Sequence, residues 1–317
     1  MSTMAQIHDQ KTIAFKHVLM ATDFSDASKR ALDFAVAITR RHGSELFVVH
    51  AIPAEPIDRI PIGPLPRELD RHMLDAEKQM KHLEQQTAFE DVIHHLVLER
   101  GDVWEVLASE IQRNNVDLLI LGTRGRGGLK KLALGSVAEE VLHLASCPVL
   151  TVGPHVPPAG ADVPDFKRIL FATDFGPASS RALSYALSQA VNCRSKLFLL
   201  HMVPPMPAAN LGPAAYGPSA YAAEDFSNWQ RTMRAESLRK LKEMIPSGTE
   251  LAVEPEYLTG MDFLPEGILD MVAARNIDLI VMGANRISSP RIAAHIPWAL
   301  THEVLCHAKC PVLTVCN

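Results

Sequence analysis

Several absences narrow the reading of this chain before any motif is sought. No apolar run approaches the roughly 20 residues needed to cross a bilayer, and the opening stretch Met1–Gln10 is polar. The chain is therefore expected to stay off membranes and in the cytoplasm. Cysteine is scarce and odd in number, five in 317 residues without regular spacing, which predicts buried reduced thiols and no disulfide framework. Positive charge is not in excess. A net charge of −5 speaks against a nucleic-acid binder that works through a broad basic surface. Also missing are the Gly-x4-Gly-Lys-Ser/Thr run of a P-loop, a Gly-x-Ser-x-Gly elbow and a histidine-glutamate zinc motif. What remains is an ordinary globular composition, 47% apolar and 21% charged. The length leaves room for two domains of about 150 residues, each able to bury a core.

The sequence is written twice. Phe15-Lys16-His17-Val18-Leu19-Met20-Ala21-Thr22-Asp23-Phe24 returns as Phe166-Lys167-Arg168-Ile169-Leu170-Phe171-Ala172-Thr173-Asp174-Phe175. Leu46-Phe47-Val48-Val49-His50 returns as Leu197-Phe198-Leu199-Leu200-His201, and Asp117-Leu118-Leu119-Ile120-Leu121-Gly122 as Asp278-Leu279-Ile280-Val281-Met282-Gly283. Cys147-Pro148-Val149-Leu150-Thr151-Val152 closes one half as Cys310-Pro311-Val312-Leu313-Thr314-Val315 closes the other. Two copies of one domain follow from this. They are expected at 14–153 and 166–317, with a stiff Pro/Gly linker at 154–165.

In the first copy, apolar runs at His17–Ala21, Leu46–Ala51, Val92–Leu98, Asp117–Leu121 and Val149–Val152 alternate with helical patterns near Ala27–Arg41, Arg67–Gln86, Val103–Asn114 and Val137–Ala145. The second copy predicts strands near Arg168–Ala172, Leu197–Met202, Leu251–Tyr257, Asp278–Met282 and Val312–Val315. Nearly continuous apolar strands alternating with helices imply an α/β fold, with parallel sheets covered on both faces. A Pro/Ala/Gly-rich insertion at 203–223 reads as a surface loop, or as a lid or partner-binding segment.

Only the first copy kept its glycines. After Gly122 it runs Thr123-Arg124-Gly125, adds Arg126, Gly127, Gly128, Lys130 and Lys131, and reaches Gly135-Ser136 at the start of a helix. Glycines let backbone N–H groups approach phosphate oxygens, the four cations offset their charge, and a helix N-terminus suits an anion. Ser136-Val137-Ala138-Glu139 also fits a capping box that needs no ligand. Asp23 suits hydrogen bonds from ribose hydroxyls or an adenine amino group, and it also fits the N-cap of the helix near Ala27. In the second copy Arg286 replaces the second glycine, and Ala294-His295-Ile296-Pro297-Trp298-Ala299 has neither Gly nor Ser. That half is expected to hold a phosphate chain very weakly or not at all.

The pattern Gly-x2-Gly-x9-Gly-Ser after an apolar strand, with Ala21-Thr22-Asp23-Phe24-Ser25 before it and Cys147-Pro148-Val149-Leu150-Thr151-Val152 after it, resembles the universal stress protein family in its tandem, two-domain form. The resemblance runs from about Phe15 to Val315. It implies two open five-stranded parallel sheets of strand order 3-2-1-4-5, with helices on both faces and ATP, with or without Mg, across the ends of strands 1 and 4. By position it implies Asp23 as the adenosine-side acid and Ala51 as a backbone facing adenine. Leu121 and Gly122 would line base and ribose, Arg124 and Gly125 the phosphate loop, and Gly135, Ser136 and Val137 would hold phosphates. Pairing of such domains, within a chain or as a homodimer through sheet edges or final strands, is also implied.

His302, Cys306 and Cys310 share a helical spacing, but no fourth ligand is evident and Cys310-Pro311 leads into the last strand, so no metal site is expected. His50 and His201, repeated at equivalent strand ends, read as structural. No residue is placed as a base for an attacking water, so nucleotide binding is better supported than turnover. The expectation is a cytoplasmic ATP-binding stress or signalling protein whose occupancy alters the surface offered to an unknown protein partner. An adenylylating or ATP-hydrolysing enzyme, and an interaction scaffold without nucleotide, stay open.

Overall fold

A computed structural model describes residues 13–53, 66–86, 89–123, 134–158, 166–203, 220–261, 264–284 and 295–316, with the side chains of 66–70, 86, 220–225 and 295–299 excepted. The first half runs β1 (His17–Ala21), α1 (Asp26–His42), β2 (Glu45–Ile52), α2 (Pro66–Gln86), β3 (Ile93–Arg100), α3 (Val103–Arg113), β4 (Leu118–Gly122), α4 (Ser136–Leu144) and β5 (Val149–Val152). The second repeats this as β6 (Arg168–Ala172), α5 (Pro177–Asn192), β7 (Lys196–Met202), α6 (Ala220–Met244), β8 (Glu256–Gly260), α7 (Leu264–Ala274), β9 (Leu279–Ala284), α8 (His295–His307) and β10 (Val312–Cys316). Among the described residues no helix is long and apolar enough to cross a membrane.

Each half has the expected order 3-2-1-4-5, but the two sheets are joined. They form one ten-stranded sheet, β3-β2-β1-β4-β5-β10-β9-β6-β7-β8. All pairings are parallel except β5 with β10, which run antiparallel with Leu313 opposite Leu150, Val312 opposite Thr151 and Thr314 opposite Val149. The reason lies in the sequence of both final strands: Val149, Leu150, Val152, Val312, Leu313 and Val315 are all buried, and neither strand could face water as an edge. Both final strands therefore have each side hydrogen-bonded within the chain, so the homodimer pairing through final strands is already used internally.

The pleat sorts alternate residues into two cores that each continue across the seam. Val18, Met20, Leu118 and Ile120 point to the face covered by α1, α2, α5 and α6, with Ala31, Met80, Ala182 and Leu241 against them. Leu19, Leu119 and Leu121 point to the opposite face, where Leu107, Val141, Val272 and Leu305 come from α3, α4, α7 and α8. Across the seam, Phe15 stacks on Tyr185 with ring centroids 6.3 Å apart, and Cys316 Sγ lies 3.2 Å from the Leu142 carbonyl oxygen. All five cysteines are buried and unpaired with one another. Burial pushes the thiols of Cys147 and Cys310 up to about 12, which makes them poor nucleophiles.

One strand differs from its sequence reading. The run Leu251–Tyr257 begins outside the sheet, and β8 starts at Glu256, paired with Phe198. Pro255 has no N–H to give to a ladder, and Val253 is 40% exposed, so pairing starts only after the proline.

The start of each copy is pinned by an aspartate. Asp117 accepts the backbone N–H groups of Lys16 at 2.8 Å and His17 at 3.2 Å, and Asp278 accepts those of Lys167 at 2.9 Å and Arg168 at 3.0 Å. Burial raises the pKa of Asp278 from 3.8 to about 6, against the lowering effect of these N–H groups. The folded state thus holds this proton more tightly than the unfolded chain. Its contribution favours folding below the unfolded pKa and is lost as pH rises through about 6. Measured by urea unfolding, the stability of the wild type relative to Asp278→Asn should rise as pH falls from about 7 to about 4.5; a difference independent of pH would contradict this. Because the cores are shared, heating should give a single transition, and Leu150→Ala or Leu313→Ala should each cost about 2–5 kcal/mol. Calorimetry that resolves two separated transitions would refute the shared core.

Candidate functional site

In the first half the direction of the chain reverses between β1 and β4. From β1 it passes by α1 to β2 on one side, and from β3 by α3 to β4 on the other, so a crevice opens at the carboxyl ends of β1 and β4. Ala21 lies level with Val49 in β2 and with Leu121 in β4. Asp23, Ala51 and Gly122, far apart in sequence, therefore emerge at the same rim of the sheet.

The turn from β1 into α1 is tightly held. Thr22 Oγ1 accepts the Phe24 N–H at 3.0 Å and donates to Ser28 Oγ at 3.2 Å. His50 donates its Nδ1–H to the Thr22 carbonyl at 2.7 Å, and its ring lies 4.4 Å from that of Phe24. Phe24 has φ of 61°, a left-handed conformation that costs a bulky residue about 1–3 kcal/mol and persists only where neighbours enforce it. The second half repeats the turn apart from the threonine–serine bond: Phe175 has φ of 62°, its N–H reaches Thr173 Oγ1 at 2.9 Å, and His201 donates to the Thr173 carbonyl at 2.8 Å beside the Phe175 ring. A turn kept in both copies serves the fold, and it gives both histidines a structural task. Sequence reading passed over the threonines and phenylalanines, although their identity in both copies was the signal.

Asp23 does not cap α1. Ser25 does, accepting the Ser28 N–H at 3.3 Å, while Asp23 accepts the Ser25 N–H at 3.0 Å and stays half-buried at the rim. The capping alternative for Asp23 thus passes to a serine two residues on. Asp174 differs in detail, since its Oδ1 accepts both the Gly176 N–H and the Ser179 hydroxyl.

Leu121 is buried in β4, and Ala51 is half-buried near the end of β2, level with Glu99 of β3. Gly122 has a packing reason to be glycine. A Cβ there would sit 2.8 Å from the Ala27 carbonyl carbon and 2.9 Å from its oxygen, so α1 reaches β4 only where no side chain intervenes. Gly283 is crowded in the same way by Ala178 and Ser179 of α5. This explains why the second half keeps that glycine after losing the others.

The start of α4 is where the halves part. Arg124 and Gly125, with the remaining loop glycines and cations, lie outside the described residues. The ends of their loop meet: the Gly135 N–H donates to the Thr123 carbonyl at 2.8 Å, so the loop leaves and returns at one point beside β4. Gly135 is the N-cap and supplies no side-chain bond, Ser136 is the first helical residue and exposed, and Val137 follows half-buried. A capping box from Ser136 to Glu139 is therefore not made, because its serine stands one position too late. A helix start without a side-chain cap leaves its first amides to water or to a ligand. In α8, Pro297 takes the third position and removes one such amide.

Among the described residues no three or more His, Cys, Asp or Glu side chains gather as for a metal ion. Cys306 Sγ lies 3.9 Å from His302 Nδ1, on the turn before it in α8.

Comparison with known proteins places this geometry. A sequence model of the universal stress protein family matches residues 14–153 and 165–315. Universal stress protein A homolog 1 of Coxiella burnetii is 34% identical over 149 residues, which are 44% of this chain and 96% of that protein. A Thermus aquaticus universal stress protein is 37% identical over 141 residues, 44% of this chain and 98% of that one. Among solved structures, a universal stress protein from Archaeoglobus fulgidus covers 94% of this chain and 97% of its own, with TM-score 0.64 and 20% identity. A functionally unknown Pseudomonas aeruginosa protein covers 96% and 93%, with TM-score 0.56 and 14% identity. The structural likenesses concern the fold, while the family match spans both halves. The chain belongs to the universal stress protein family and carries its domain twice.

Proposed function

We propose that the first half holds an adenine nucleotide, ATP in the first instance, across the ends of β1 and β4, and that this chain is a cytoplasmic stress-response or signalling protein. The observation that carries this reading is the start of α4: a glycine cap without a side chain, followed by exposed Ser136, at the close of a glycine- and cation-rich loop. Asp23, Ala51, Leu121 and Gly122 would receive the adenosine end, and Arg124, Gly125, Gly135, Ser136 and Val137 the phosphates. Mg, if it comes, would come with the phosphates, where the loop's cations compete for the same charge. The second half, with Arg286 for a glycine and Pro297 in the first turn of α8, would pair with the first and help present a surface to a protein partner. Turnover is not part of the proposal: among the described residues no group is placed to activate water.

Ser136 separates a ligand role from a capping role. As the first helical residue it should contribute little to folding, so Ser136→Ala should change stability by less than about 0.5 kcal/mol, against about 1 kcal/mol for loss of a true N-cap. Protein purified without added nucleotide, then heat-denatured and analysed by chromatography, should release an adenine nucleotide, and Gly125→Trp/Ser136→Ala should release none. A wild type that is empty and also fails to bind added ATP would leave a scaffold as the better reading.

A further inference from the structure

With β5 and β10 joined to each other, the sheet ends on β3 and β8, and these two edges are not alike. β8 is five residues long, starts directly after Pro255, and its Glu256 is tied to Lys196 at 2.8 Å and to Arg275 at 3.0 Å. Shortness, a flanking proline and charge are the devices that keep an edge strand from pairing. β3 has eight residues, neither proline nor lysine from Ile93 to Arg100, and an apolar centre at Leu96-Val97-Leu98, and its Ile93 is 62% exposed. Among the described residues no strand lies along its outer side.

The backbone of β3 decides how a further strand could join. Gly101 donates its N–H to the Ile52 carbonyl of β2 at 3.0 Å. Ladder bonds alternate along a strand, so the odd-numbered residues of β3 bond to β2, while His94, Leu96 and Leu98 turn their N–H and C=O groups outward. A second β3 entering antiparallel must pair these even positions and keep each side chain on its own face.

Two symmetric registers overlap most of the strand. With Leu96 on the two-fold axis, Ile93 would oppose Glu99 and His95 would oppose Val97, which sets polar against apolar. With Val97 on the axis, Val97 meets its own copy, and the pairs Leu96 with Leu98 and His95 with Glu99 each form twice. His95 is half exposed, with Nε2 3.6 Å from Glu45, and Glu99 engages Arg113 through Oε1 at 3.0 Å. In this register the strand is complementary to itself, and that selects a second copy as its partner.

We propose that two copies of this chain associate through β3, antiparallel about a two-fold axis at Val97, so that the sheet continues from one copy into the other. The outward backbone groups, the leucine pairs and the His95–Glu99 pairs hold the interface. The proposal does not depend on what the first half binds.

Sedimentation velocity of the full-length wild type, taken from about 1 to about 100 μM, should move from 34.8 kDa towards twice that mass. His95→Glu sets a carboxylate opposite Glu99 in both pairs and should raise the concentration for half-dimerisation at least about tenfold. His95→Glu/Glu99→Lys restores opposite charges and should bring it back to within about threefold of the wild type. Opposed residues that exchange no backbone bonds lie about 4.5 Å apart, within disulfide reach, and all five native cysteines are buried. Val97→Cys should therefore cross-link to a covalent dimer with diamide, and Ile93→Cys, exposed but away from the axis, should not. A wild type that stays a monomer at about 100 μM overturns the proposal, whether β3 is left open or taken by another protein. So does a dimer unaffected by His95→Glu, a double variant as weak as His95→Glu, or a Val97→Cys protein that gives no cross-link.

Discussion

The pairing of Leu150 with Leu313 decides the shape of everything around it. Each half ends on a strand whose side chains are apolar on both faces, and such a strand exposed at an edge would leave its backbone groups and its side chains to water. Antiparallel pairing of the two last strands removes both problems in one ladder and joins two five-stranded sheets into ten strands. The cores on the two faces then run across the seam, and the outer edges of the sheet fall to β3 and β8. The same pairing sets the two crevices apart, one at the ends of β1 and β4 and the other at the ends of β6 and β9.

Duplication supplies an internal control. Whatever both copies keep must serve what both copies do, which is to fold. Gly122 and Gly283 let a helix approach a strand, Thr22 and Thr173 close the first turn, and Asp117 and Asp278 hold the first strand in place. Phe24 and Phe175 accept strained backbone under the rings of His50 and His201. The features of one copy alone carry the functional proposal: the glycine and cation loop and the bare helix start at Gly135-Ser136, both in the first half. A residue such as Gly122, read from the motif as a ligand contact, is thus explained first by packing.

Much of the fold was legible because buried parallel strands are written as unbroken apolar runs. His17–Ala21, Val149–Val152 and Arg168–Ala172 match their strands residue for residue. The β8 reading slipped because apolar content was weighed above Pro255, which cannot join a ladder. The joining of the sheets was less visible, since apolar last strands say that an edge must be covered without saying by what. The candidate site residues stood out as a pattern, but their local tasks did not: Asp23 and Ser25 differ by two positions, and only backbone geometry shows that the serine is the cap. The strain at Phe24 left no trace in composition, since nothing about a phenylalanine announces a left-handed backbone.

The division of labour between the halves is most directly tested by a calorimetric titration of nucleotide-free, full-length protein with ATP. One ATP bound per chain, at a site lost in Gly125→Trp/Ser136→Ala, is the expected result. Two equivalent ATP molecules per chain would contradict the assignment of phosphate binding to the first half alone, and none would contradict the nucleotide reading itself.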